Sequence, residues 1–279
     1  MQVYVSVDME GISGIATRDQ VVRGGYGYRR AQALMTSEVN AAIEGAFDGG
    51  AESVLVNDAH GTMDNLLPDE LDPRARLLLG VPKPDGMVEG LTATHDVAFF
   101  VGYHAAAGTG GVLAHTFSSH LIEVRVNGAA VSEAEVNAMR AASAGVPVGL
   151  LTGDDVMCAA ARDVLPGITA VEVKRSCGVY AVDSLSPDSA RTRIRAAAAR
   201  VVSTAGMLRP VDVSDLLDVE VEMPLAAAAE NGAMMPGVRR MSQRTVRAEF
   251  TSPHDLIGFI TLCCQLAESA MKIHFHTTN

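Results

Sequence analysis

Short, β-branched apolar runs alternate with amphipathic helical stretches along most of the chain, and this alternation constrains the fold more than any other feature. Gln2–Val7 (QVYVSV), 53–56 (SVLV), 76–79, 97–101 (VAFFV), 148–151 and 170–173 read as strands. Helical periodicity falls between them. One helix spans 28–47 and stops at Gly49-Gly50; another spans 133–144 behind Ser132 as N-cap, with further helices at 155–164 and 187–202. Strand–helix–strand alternation builds right-handed βαβ units, so the expected class is α/β, a doubly wound and mainly parallel sheet. Residues 121–126 alternate and lead into Asn127-Gly128, a hairpin turn pair.

Near residue 206 the texture changes. Extended segments at 211–223 and 238–250 flank a short Ala-rich helix, and an amphipathic helix at 252–271 carries Pro253 just inside its start. The 279 residues therefore read as an α/β catalytic domain over 1–205 and a smaller C-terminal α+β domain over 206–279.

Composition narrows the partners. With 33 acidic against 22 basic residues and a net charge of −11, the chain lacks the basic face that phosphates of nucleic acid or anionic lipid require. It has no Trp and few Phe or Tyr, so base-stacking platforms are not expected either. Cys158, Cys177, Cys263 and Cys264 form no CxxC pair, which suits a reducing compartment. The opening MQVYVSVDMEG does not read as a secretory signal, and no apolar run is expected to reach the roughly 20 residues of a membrane span. A soluble, cytoplasmic protein is the expectation.

Ligands of open α/β sheets bind beyond the carboxyl ends of the strands. Asp8 and Glu10 follow the first strand, and Asp58 and His60 the second. His104 comes after VAFFV, His115 after the short apolar stretch 112–114, and Glu133 opens the helix past the hairpin. Asp8 and Glu10, two apart on extended chain, project the same way and either share one cation or bridge two. Carboxylates with two or three imidazoles suit Zn²⁺, and also accept Mn²⁺ or Co²⁺. Asp154-Asp155 reads as a helix cap pair, His95 and His120 fall in loops, and His274 and His276 fall in a solvated tail. The Gly-rich stretch 105–111 lacks the strand–GxGxxG–helix context of a nucleotide site.

The ordered set of motifs resembles the D-aminopeptidase family of zinc metallopeptidases, peptidase family M55. Ser6-Val7-Asp8-Met9-Glu10-Gly11 fits its SxDxEG signature. The likeness continues through Val56-Asn57-Asp58-Ala59-His60, Met87-Val88-Glu89-Gly90, Gly102-Tyr103-His104-Ala105, His115, Glu133, Gly153-Asp154-Asp155 and Met235-Pro236-Gly237. It implies two zinc ions per subunit on Asp8, Glu10, His60, His104 and Glu133, with His115 at the catalytic position. It further implies short peptides with a free N-terminus as substrates, and a ring-shaped homo-oligomer such as a decamer of stacked pentamers. The stretch 176–182 departs from the expected pattern in having no basic residue.

Two rival readings follow from the same residues. Asp8-Met9-Glu10-Gly11 resembles the DxDGT motif of Mg²⁺-dependent haloacid-dehalogenase phosphatases, although Ile12 replaces the Thr and the histidines would have no task. A metal- or peptide-binding protein without turnover is the other.

Overall fold

The computed structural model describes residues 1–276. A seven-stranded sheet is built from β1 (Gln2–Val7), β2 (Ser53–Asp58), β3 (Ala75–Leu78), β4 (Val97–Tyr103), β7 (Val148–Asp154), β8 (Thr169–Gly178) and β9 (Ala181–Ser184), in the order β3-β2-β1-β4-β7-β8-β9. All pairings are parallel except β8 with β9, which closes an edge hairpin. The expected α/β, doubly wound class is therefore the observed one, and the strand order reverses direction between β1 and β4.

Helices cover both faces. α1 (Arg18–Val21) is a single turn after β1; α2 (Tyr28–Asp48) and α5 (Pro187–Thr204) lie together on one face, while α3 (Glu133–Ser143) and α4 (Asp155–Val164) belong to the other. Period-two alternation sorts the strand residues between them. Val3, Val5, Val7, Phe99 and Leu150 join the core of α2 and α5, whereas Tyr4, Phe100 and Leu151 join the opposite core. Each such buried aliphatic or aromatic side chain is worth about 1.5–3 kcal/mol over exposure.

Beyond α3 lies a second, antiparallel sheet, ordered β11-β12-β10-β5-β6, from β5 (Glu123–Val126), β6 (Ala129–Ala130), β10 (Leu217–Glu222), β11 (Arg239–Arg240) and β12 (Thr245–Phe250). Its inner face, including Val124, Val219, Val221 and Val246, packs in one core with residues of α6 (Ala226–Gly232) and α7 (Pro253–His276). This sheet draws β5 and β6 from residues 123–130 and the rest from 217–250, so it does not divide from the main sheet at residue 206 as the sequence texture suggests. The cause is pairing: β5 is antiparallel to β10, with Val124 opposite Val221.

α7 begins at Pro253, as expected, but continues to residue 276, so His274 lies in a helix rather than a tail; the His276 side chain falls outside the described residues. Against the sequence expectation, this helix is long and apolar enough to cross a membrane by length and composition. Its Leu256, Ile260, Cys263 and Ala267 are instead buried in the core shared with the second sheet.

Candidate metal centre

The reversal between β1 and β4 opens a crevice at their carboxyl ends, where ligands collect in such sheets. Asp8 and Glu10 leave β1, His60 follows β2, His104 follows β4, and Glu133 starts α3; all five are at least nine-tenths buried. Backbone contact holds the β1 and β4 exits together: Asp8 N donates to Val101 O at 2.8 Å and Gly11 N to Gly102 O at 2.7 Å. A Cβ on Gly11 would lie 2.0 Å from Tyr103 O, and Gly102, at φ +71°, would push one to 2.3 Å from Asp8 O. The two glycines beside these candidate ligands are therefore required by close approach and turn geometry.

Each imidazole is tethered by one ring nitrogen and offers the other to the cleft. His60 Nε2 donates to Val21 O at 2.7 Å, leaving Nδ1 3.1 Å from Asp8 Oδ1 and 3.0 Å from Glu10 Oε2. His104 Nδ1 donates to Ala105 O at 3.0 Å, and its Nε2 stands 3.4 Å from both Asp8 Oδ2 and Glu133 Oε1. His115 Nδ1 donates to Leu113 O at 2.9 Å, with Nε2 3.9 Å from Glu133 Oε1. A histidine oriented through its far nitrogen is poised to ligate or to exchange a proton.

Behind these residues lies a supporting shell. The Asp58 carboxylate accepts from the amides of Asn65 and Leu66 and from Asn65 Nδ2, which also donates to His60 O at 2.6 Å; Tyr28 Oη donates to Asn65 Oδ1. Ser132 caps α3, as expected, and does so in a reciprocal box with Glu135. Glu133 Oε1 accepts from Phe117 N at 2.6 Å. His115 sits between Leu113 and Phe117, which adopt φ of 53° and 58°, so its loop is held in a conformation few side chains choose.

Asp154 does more than the cap role expected of it. Its Oδ1 caps α4 through Met157 N, and its Oδ2 accepts from Val112 N at 2.6 Å, anchoring the loop that leads to His115. His120 lines the same cleft, whereas His95 packs edge-on against Tyr4 elsewhere. Lys174 is the member the sequence reading omits: buried on β8, it donates from Nζ to the carbonyls of Glu10, Ile12 and Ile15. The 176–182 stretch is the β8–β9 hairpin, whose Val179 and Tyr180 line the cleft.

The electrostatics call for cations. Burial drives the Asp8 carboxyl up, and the neighbouring Glu10 charge adds to it, reaching about 7 despite His60 and His104. Burial lowers both imidazoles, but the carboxylates around them win, raising His104 to about 10 and His60 well above its ordinary value. Burial would raise Glu10 and Glu133, yet His60 chiefly holds Glu10, and His104 chiefly holds Glu133, below the usual range. His115 differs: burial, then the positive His104 beside it, push it below its ordinary value. Three carboxylates in one dry site repel unless compensated, and effective burial costs run to several kcal/mol per ion. Asp8 Oδ2, Glu10 Oε2 and His104 Nε2 are buried with no hydrogen-bond partner among the described residues. Orphaned acceptors converging from Asp, Glu and His fit a divalent cation of zinc type. Donor atoms group as Asp8–Glu10–His104 and as His104–His115–Glu133, each set within 4.8 Å. The cluster opens into a cleft of about 880 Å³ lined also by Arg18, Tyr28, Phe117, Tyr180 and Cys264.

An α/β sheet with a carboxylate–imidazole cluster at its switch point defines a metal-dependent hydrolase architecture, and three comparisons assign the family. The model of peptidase family M55, described as D-aminopeptidase, matches residues 1–262. A D-aminopeptidase of Bacillus subtilis (strain 168) is 34% identical over 275 residues, covering 99% of this chain and all of the relative. The solved structure of the Zn-dependent D-aminopeptidase DppA from Bacillus subtilis, described as a self-compartmentalizing protease, superposes with a TM-score of 0.93 at 34% identity, over 96% of this chain and 98% of that one. The chain belongs to the M55 D-aminopeptidase family, and is an enzyme of the hydrolase class.

Proposed function

We propose that this chain is a zinc-dependent aminopeptidase that releases N-terminal D-residues, D-alanine among them, from short peptides. The observation that carries this reading is the convergence of three buried carboxylates with three imidazoles, each imidazole tethered to a backbone carbonyl, at a cleft of about 880 Å³. Two zinc ions per subunit would be held by Asp8, Glu10, His60, His104 and Glu133; the two overlapping donor groups around His104 support that count. Zinc held there would supply hydroxide from water near neutral pH and would polarise the scissile carbonyl.

The chain's own residues do the rest. His115 is the catalytic residue: its Nε2 faces the cleft, and its lowered basicity keeps the ring neutral and ready to take a proton. It accepts that proton at the attacking oxygen and returns it to the departing nitrogen; attack by His115 itself is the second role open to it. Glu133, fixed by Phe117 N, orients the loop that carries His115. The acidic cluster attracts the free amino terminus of the peptide.

A ring-shaped homo-oligomer, a decamer in its fullest form, and a cytoplasmic location complete the proposal. The relative's self-compartmentalizing character supports the first, and the four unpaired cysteines support the second. The family assignment sets aside the haloacid-dehalogenase reading. Elemental analysis and a dipeptide panel of both chiralities, run on one preparation, test the proposal. Zinc with faster release from D-Ala-D-Ala than from L-Ala-L-Ala is expected; bound zinc with no hydrolysis would instead mark a binding protein.

A further inference from the structure

Lys174 is an ammonium buried to 3% exposure, and no motif of the family resemblance includes it. Its Nζ donates to Glu10 O, to Ile12 O at 3.0 Å and to Ile15 O at 2.7 Å. An ammonium has three donors and no acceptor, so these three carbonyls saturate it. All three belong to the loop that leaves β1 carrying Asp8 and Glu10.

Other ties hold the same loop at different points. Glu38 Oε1 accepts from Ser13 N at 2.9 Å, Ser184 Oγ from Gly14 N at 2.8 Å, and Gly102 O from Gly11 N. Among them, Lys174 alone donates to the peptide carbonyl of Glu10, 164 residues away in sequence. Burying a charge is costly, and a methionine would fill the same space without that cost. A buried ammonium is warranted where three converging carbonyls must be gathered round one point.

We propose that Lys174 is a positioning residue of the metal centre: its ammonium fixes the curvature of the 8–15 loop and so sets the Glu10 carboxylate against Asp8 and His60. The inference rests on the reading of Glu10 as a metal ligand. Residues that orient ligands from behind typically change metal affinity or activity by about 10–100-fold when removed.

The test compares wild type, Lys174→Met and Lys174→Arg as metal-free full-length proteins, with folding checked by circular dichroism and zinc affinity read by chelator competition. Lys174→Met is expected to bind zinc about 10–100-fold more weakly than wild type. Lys174→Arg, whose guanidinium still donates to carbonyls, should fall between the two. With zinc saturating, Lys174→Met should lose kcat while KM changes little. A folded Lys174→Met with wild-type affinity overturns the inference, as does Lys174→Arg no tighter than Lys174→Met. Should the Met variant not fold, the Arg variant is read against wild type alone, and equal affinity overturns it. Absence of zinc binding by wild type would instead refute the metal reading itself.

Discussion

His104 and His115 stack face to face, their ring centroids 4.2 Å apart and their planes within 13°. Both present Nε2 toward Glu133, yet only His104 is fully buried with that nitrogen unpartnered; the His115 side chain keeps 20% exposure. The proposed function makes His104 a ligand and His115 a proton carrier. His104→Ala is expected to lose metal. His115→Ala should retain it and lose about 10²–10⁴-fold in turnover of D-Ala-D-Ala, the usual worth of acid–base catalysis. Metal content and kcat on the same samples decide, and full activity in His115→Ala would remove its role.

Gly11 gives a prediction on stability. Its Cα packs so near the β4 exit that an added methyl would sit 2.0 Å from Tyr103 O and 2.4 Å from Gly102 C, both backbone atoms. Gly11→Ala should cost about 3 kcal/mol in urea unfolding of the metal-free protein, at the upper end for overpacking. A cost under about 1 kcal/mol would mean the two strand exits separate easily.

Asn65 joins Asp58 to the His60 loop, donating to Asp58 Oδ1 at 2.8 Å and to His60 O at 2.6 Å. Asn65→Ala leaves a buried carboxylate one donor short, a loss of about 1–3 kcal/mol. Zinc affinity should fall as well, because His60 loses one of the contacts that fix its backbone. Unchanged chelator competition would show that Val21 O alone orients the ring.

Asp85 supplies the pH dependence. Its carboxylate accepts from Arg140 Nε at 2.8 Å, Arg140 Nη2 at 2.7 Å and His254 Nδ1 at 2.6 Å, tying the loop before β4 to α3 and α7. Burial would raise its pKa, but Arg140 and His254 outweigh burial and hold it below the usual range. A carboxyl depressed in the folded state stabilises fully above its unfolded value, near 3.9, and loses that stabilisation as pH falls through the lower folded value. Asp85→Asn should therefore cost about 1–3 kcal/mol at neutral pH, with the deficit closing below about pH 4. A deficit that persists in acid would refute the ionic account.

The residues legible in the sequence are those that a strand delivers directly. Asp8, Glu10, His60 and His104 each follow an apolar run within a few positions, and the sheet places them together. His115 rides an irregular loop with left-handed residues on both sides, so residue order and family likeness, not periodicity, point to it. Lys174 was hidden because a Lys-Arg pair after an apolar run reads as a strand's exit to solvent. The strand in fact continues to Gly178, and carbonyls 159 to 164 residues upstream complete the lysine's shell. The second sheet was illegible for a related reason. Alternation in 121–126 shows a half-buried strand but not that its partner, β10, lies some ninety residues further on.

The central claim is that Asp8, Glu10, His60, His104 and Glu133 hold the zinc that this peptidase needs to cleave a D-dipeptide. Titrating zinc into chelator-stripped protein while following D-alanine release from D-Ala-D-Ala tests it most directly. Turnover should be absent at the start, rise with added zinc and level off at two equivalents per chain. Full turnover in the stripped protein, or none at any zinc loading, would contradict it.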